Sequence, residues 1–106
     1  MIYASTSCLK NPRILSKVLD VYQKGEIENV ELGSVHSSFD IRILKKYDFN
    51  FLVHNYFPPS KKPFNFNLAS QNPKIHSKSI QLAKSAIDLC RKINSPLYTF
   101  HAGFTT

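Results

Sequence analysis

Two histidines in this chain close apolar, strand-forming runs: His54 follows Phe51-Leu52-Val53, and His101 follows Tyr98-Thr99-Phe100. Imidazole is the side chain that most readily moves protons near neutral pH, and pairs of imidazoles are common ligands of transition metals. A single strand-end histidine is more often a hydrogen-bonded structural residue. Two of them at matching positions on neighbouring strands would be a candidate centre for metal-assisted or acid–base chemistry. Glu31, inside the run Asn29–Gly33, could add a carboxylate to that centre or simply accept backbone hydrogen bonds. Further along, Tyr56 and Phe57-Pro58-Pro59 could line a pocket or stiffen a loop. Lys61 and Lys62 follow them, and two ammonium groups over such a site would suit a phosphorylated or acidic sugar, although an ordinary solvated loop also carries lysines. His36 and His76 fall in a loop and a first helical turn, where solvation or capping is the plain expectation. Cys8 has no basic partner in sequence and is read as packing.

The elements that would position these groups can be read from apolar periodicity. Four short runs rich in β-branched and aromatic residues, Ile2–Ser7, Asn29–Gly33, Asn50–Asn55 and Pro96–Ala102, predict strands. Between the first two, Asn11 as N-cap, Pro12 as first helical residue and Gly25 as stop predict a helix carrying Ile14, Leu15, Val18, Leu19 and Tyr22. Ser38 is placed to cap a short helix bearing Ile41, Leu44 and Tyr47. The third helix is the clearest: Asn72 caps it, Pro73 opens it, and it should run to about Ile93. Its wheel gathers Ile75, Ile80, Leu82, Ala83, Ala86, Ile87, Leu89, Cys90 and Ile93 on one half, and Lys74, Lys78, Gln81, Lys84, Asp88, Arg91 and Lys92 on the other. Strands that alternate with helices predict βαβ units and a parallel sheet.

Alternate residues of a strand face opposite sides. Val30 and Leu32, Phe51 and Val53, and Tyr98 and Phe100 then form an apolar face for the helices. The opposite face presents Glu31, His54 and His101 at the carboxyl ends of the strands, where the active sites of parallel sheets and barrels gather.

The chain carries 14 basic and seven acidic residues, a net charge of +7, but the basic side chains are spread over predicted helical faces. They do not form the single stripe expected of a nucleic-acid-binding domain. With 42% hydrophobic and 12% aromatic residues the composition is that of a chain with a core. No apolar stretch reaches the roughly 18 residues of a membrane span. The start has no signal-peptide pattern, and the two cysteines have neither metal-ligand nor disulfide-framework spacing. A cytoplasmic setting is the expectation.

His54-Asn55-Tyr56, Asn65-Phe66-Asn67-Leu68-Ala69-Ser70, Asn72-Pro73 and Phe100-His101-Ala102-Gly103, in that order, resemble the xylose isomerase-like superfamily of (β/α)8 TIM-type barrels. That group holds sugar and sugar-phosphate isomerases and epimerases and the endonuclease IV type of apurinic-site nuclease. The resemblance implies an α/β fold of which residues 1–106 would be the N-terminal half, with four of the eight strands and three helices. It implies catalytic roles for His54, His101 and Glu31, and substrate contacts from Tyr56, Lys61, Lys62 and Asn67. A divalent ion (Mn, Mg, Co or Zn) is the implied cofactor, and a sugar or sugar phosphate the implied ligand. In the nuclease branch His54 and His101 would be zinc ligands. In the isomerase branch the metal is held mainly by carboxylates and a histidine from later strands, and the pair would contact substrate. The segment Phe57–Phe64, inserted between the two motifs, departs from the nuclease pattern and leaves the isomerase reading ahead.

A complete barrel needs about 250 residues. The 106-residue chain is therefore expected to be a fragment or a split half, inactive by itself and unable to hold metal tightly. A non-catalytic half-barrel that pairs with another chain is the third reading. An unpaired sheet edge and a bare fourth strand favour association. Purified, the chain is expected to self-associate or to be molten; a dispersed monomer by light scattering with a sharp cooperative melt would contradict this.

Overall fold

The computed structural model describes residues 1–103. Strands and helices alternate: β1 (Ala4–Ser5), α1 (Leu15–Lys24), β2 (Asn29–Leu32), α2 (Ile41–Leu44), β3 (Asn50–His54), α3 (Pro73–Ile93) and β4 (Tyr98–Thr99). The four strands form one parallel sheet in the order β1-β2-β3-β4. An α/β architecture with a parallel sheet is thus present as the alternation of apolar runs and helical patterns predicts. The strands are shorter than their apolar runs, because pairing stops where a neighbour turns away. The fourth keeps only Val53↔Tyr98 and His54↔Thr99.

Register and parity decide what is buried. Val30, Leu32, Phe51 and Val53 point into one core with Leu15, Val18, Leu19 and Tyr22 of α1, Leu44 of α2, and Ala86, Leu89 and Cys90 of α3, with Tyr98 packed against it. All three helices therefore cover the same face of the sheet. Ser5, Glu31, Leu52, His54 and Thr99 have the other parity. Burying an aliphatic side chain of this kind is worth about 1.5–3 kcal/mol, so a one-residue slip of β3 would expose Phe51 and Val53 and is strongly disfavoured.

The third helix has the predicted limits. The Asn72 side chain accepts from the Lys74 and Ile75 N–H groups, Pro73 needs no donor in the first turn, and Asn94 closes the end at φ 57°. Its buried stripe is narrower than half the wheel. Ser79, Leu82, Ala86, Leu89 and Cys90 are covered, whereas Ile87 is 52% exposed.

The first helix begins three residues later than Asn11-Pro12 predicts. Asn11 takes φ 58°, and Ile14 caps the helix without a side-chain bond. The cause is tertiary: the Arg13 carbonyl accepts from the Ser37 N–H at 3.2 Å, which ties this segment to the β2–α2 loop. At the second helix Asp40, not Ser38, is the cap; its carboxylate accepts from the Arg42 N–H and pairs with the Arg42 guanidinium, which holds the Asp40 pKa down at about 2. Cys8 is exposed rather than packed.

His36 is not solvated. It is 7% exposed, its Nε2 lies 2.7 Å from the Thr6 hydroxyl oxygen, and its ring meets Phe57 edge-on. The same Thr6 oxygen accepts from the Gly33 N–H at 2.9 Å. A side chain on Gly33 would place its Cβ 2.6 Å from Ser7 Oγ, so glycine lets β2 leave the sheet close to the β1–α1 loop without displacing that hydroxyl. Val35, a β-branched residue at φ 78°, bears backbone strain next to the buried imidazole.

Burial pushes the His36 pKa below its ordinary 6.5, opposed in part by the carbonyls of Pro12 and Arg13; Nδ1 itself has no partner in hydrogen-bond geometry. The unfolded chain thus binds this proton more readily than the folded one. The stabilising contribution is complete above pH 6.5 and is lost as pH falls through the depressed folded value. Denaturation midpoints measured from pH 8 to pH 5 are expected to fall in that window, and His36→Gln is expected to flatten the fall; parallel profiles for the two proteins would contradict it.

Candidate functional site at the carboxyl edge

The β3–β4 pairing carries the site. His54 is the last residue of β3 and lies opposite Thr99 on β4. Its Nδ1 is 2.7 Å from the Thr99 hydroxyl oxygen. The pairing continues one residue further, where the Asn55 N–H donates to the Thr99 carbonyl at 3.0 Å. The Tyr98 hydroxyl donates to Asn55 Oδ1 at 3.3 Å from the helix side of the sheet, and burial pushes its pKa up to about 12. His54 is therefore oriented by a side-chain partner in the adjacent strand and by a backbone locked beneath it.

His101 lies beyond β4 and is exposed. Its ring stands edge-to-face with His54, the centroids 5.3 Å apart and the planes at 89°. Nδ1 of His54 is engaged by Thr99; among the described residues no hydrogen bond engages its Nε2 or either nitrogen of His101. Glu31 is half-buried on the same face but one row lower, opposite Ser5 and Leu52. Strand spacing and rise put its backbone about 8 Å from that of His54. Among the described residues no three His, Cys, Asp or Glu side chains group closely enough to hold a metal ion. Two imidazoles are fewer donors than protein zinc sites usually supply.

The remaining predicted residues divide. Asn67 adjoins the continuation of β4: the Leu68 N–H donates to the Ala102 carbonyl, and a Cβ on Gly103 (φ 145°) would lie 2.4 Å from Asn67 Oδ1. Only glycine fits there, two residues past His101. The Asn67 N–H donates to the buried Ser79 hydroxyl at 2.9 Å, which in turn donates to the Ile75 carbonyl at 2.7 Å; this chain of bonds ties the edge to α3. Tyr56 braces the β3–α3 loop, its hydroxyl oxygen accepting from the Phe66 N–H at 3.0 Å. Lys61 and Lys62 lie elsewhere, in a groove between that loop and α3 that is lined by none of Glu31, His54 and His101.

Thr99, a residue that the strand-end histidines and Glu31 do not by themselves point to, joins the site through its hydroxyl. Its signal in the sequence is a hydroxyl of His101's parity on the strand paired with His54. No family model, curated protein or solved structure matches the chain.

Because Thr99 is the side-chain partner of His54, Thr99→Val is expected to free the ring. Nitrogen NMR of the imidazole should then show a mixture of tautomers in place of one dominant form. An unchanged tautomer ratio would remove Thr99 from the site.

Proposed function

We propose that this sheet is the first four strands, with the first three helices, of a (β/α)8 barrel of the xylose isomerase-like type, and that its carboxyl edge takes part in isomerising or epimerising a sugar or sugar phosphate. The observation that carries the reading is the single winding of the sheet. Strand order follows chain order and all three helices lie on one face, as in a barrel, whereas a doubly wound sheet has helices on both. The bare face then corresponds to a barrel interior, and the imidazole pair to the mouth where barrel enzymes bind substrate.

On the isomerase reading His54 and His101 contact the substrate, and the metal is held by residues of later strands. His54, held by Thr99, presents one ring nitrogen to a sugar hydroxyl and fixes its orientation. His101, exposed and perpendicular to it, can take up or release a proton at the neighbouring oxygen. Glu31 sits deeper, where its carboxylate can accept from a hydroxyl further along the sugar. Asn67, beside Gly103, closes the side of the site away from β2.

The test uses the protein that carries this chain, a panel of open-chain sugars and sugar phosphates, and the variants His54→Ala and His101→Ala. Each is expected to lose about 10²–10⁴-fold in turnover, the range for a positioned acid–base group, with metal content unchanged. Loss of bound metal in both variants would instead make the pair ligands, as in a zinc phosphodiesterase. Full activity in both would remove the pair from the site.

A further inference from the structure

The groove that holds Lys61 and Lys62 is a separate feature with its own chemistry. It has a volume of about 490 Å³ and lies between the β3–α3 loop and the outward side of α3. That size is within the range of small-ligand sites, about 300–1,000 Å³. Pro58, Pro59, Phe64 and Leu82 form apolar walls, Ser60, Gln81 and Ser85 offer hydrogen bonds, and Lys61, Lys62 and Lys78 bring three ammonium groups.

The loop that presents them is anchored rather than free. Phe57 and Phe66, at its two ends, are 0% and 1% exposed. Between them the Ser60 hydroxyl donates to the Lys62 carbonyl at 2.9 Å and closes a turn under the lysine pair. Phe64 packs edge-on to Tyr56, and the Lys78 ammonium lies 5.9 Å from the Phe64 ring centre, which links loop to helix.

The charge has no counterpart. The ion pairs among the described residues are Arg42–Asp40 and Lys92–Asp88, so no carboxylate neutralises Lys61, Lys62 or Lys78. Three ammonium groups lining one groove make it a region of positive potential that attracts an anion. The groove next along α3 shares Pro58 and Ser85 with this one but is lined by Asp40 and Asp88. Those carboxylates are ion-paired with Arg42 and Lys92, so the uncompensated positive charge is confined to the end lined by Lys61, Lys62 and Lys78, a footprint that suits a compact anion.

From this geometry we infer that the groove between the β3–α3 loop and α3 binds a phosphomonoester or diphosphate carried on a partly apolar body, the chemistry of a mononucleotide. The phosphates sit among Lys61, Lys62 and Lys78, and the body lies along Pro58, Pro59 and Phe64. This site is independent of the histidine edge and stands whether or not that edge is catalytic.

The experiment is calorimetric titration at low ionic strength with pyrophosphate, ADP and adenosine. Pyrophosphate and ADP are expected to bind, ADP the more tightly, and adenosine not to bind measurably. An ammonium roughly 4 Å from a phosphate charge in water is worth about five-fold in affinity, so Lys61→Ala/Lys62→Ala should weaken ADP by about 25-fold. Lys45→Ala/Lys46→Ala removes the same net charge at and just past the end of α2 and should change affinity by no more than about two-fold. Thermal melts that match the parent keep both variants interpretable. Absence of pyrophosphate and ADP binding, or equal weakening by the two double variants, would overturn the site. So would tighter binding of a single-stranded oligonucleotide with a salt dependence exceeding three released charges.

Discussion

Burial of one face of a parallel sheet under three helices is the constraint on which the molecule depends. Val30, Leu32, Phe51 and Val53 are at most 5% exposed, and each helix adds its own apolar stripe to the same cluster. Because strand side chains alternate with a period of two, burying these residues leaves Glu31, His54 and Thr99 no choice of face. The position of the polar groups follows from that of the apolar ones. Parallel pairing then brings the ends of β3 and β4 level, which sets the two imidazoles 5.3 Å apart.

A second layer of order comes from the long connection between β3 and α3. Phe57 enters the main core, and Phe66 is buried against Tyr56 and Phe100. Ser79, a hydroxyl in the buried stripe of α3, would be costly if unpaired, by about 1–3 kcal/mol. It is satisfied twice, through Asn67 and Ile75, and so welds the end of the loop to the helix. The loop therefore has one fixed path, and that path separates its two ends. Its Asn67 end lies beside the continuation of β4, and its lysine turn lies over α3.

At the opposite side of the sheet, the β1 and β2 exits are joined by a small polar network in an apolar setting. Thr6 accepts from Gly33 and bonds to His36, while the Ser7 hydroxyl donates to the Ser34 carbonyl at 2.9 Å. Polar groups withdrawn from water are tolerated there because nearly all find partners; the exception is His36 Nδ1. Gly33 leaves room for the Ser7 hydroxyl here, and Val35 nearby takes a strained φ of 78° that the surrounding core holds in place.

Local periodicity in the sequence determined the alternation of elements, the limits of α3 from Asn72 to Ile93, and the face on which Glu31 and His54 stand. These are properties of short windows, in which side-chain spacing and capping chemistry speak directly. Only tertiary structure decided the rest. A backbone bond from Ser37 to Arg13 delays α1 past Asn11-Pro12, although that pair is a sound local helix start. Pairing with β3 alone stops β4 at Thr99 and leaves His101 exposed beyond it. Packing of Phe57 and Phe66 carries Lys61 and Lys62 to the helix side, although they follow a strand end that bears a candidate catalytic histidine. His36 is buried by Thr6, thirty positions away in the chain. In each case the deciding partner is remote in sequence, and no window of neighbouring residues contains it.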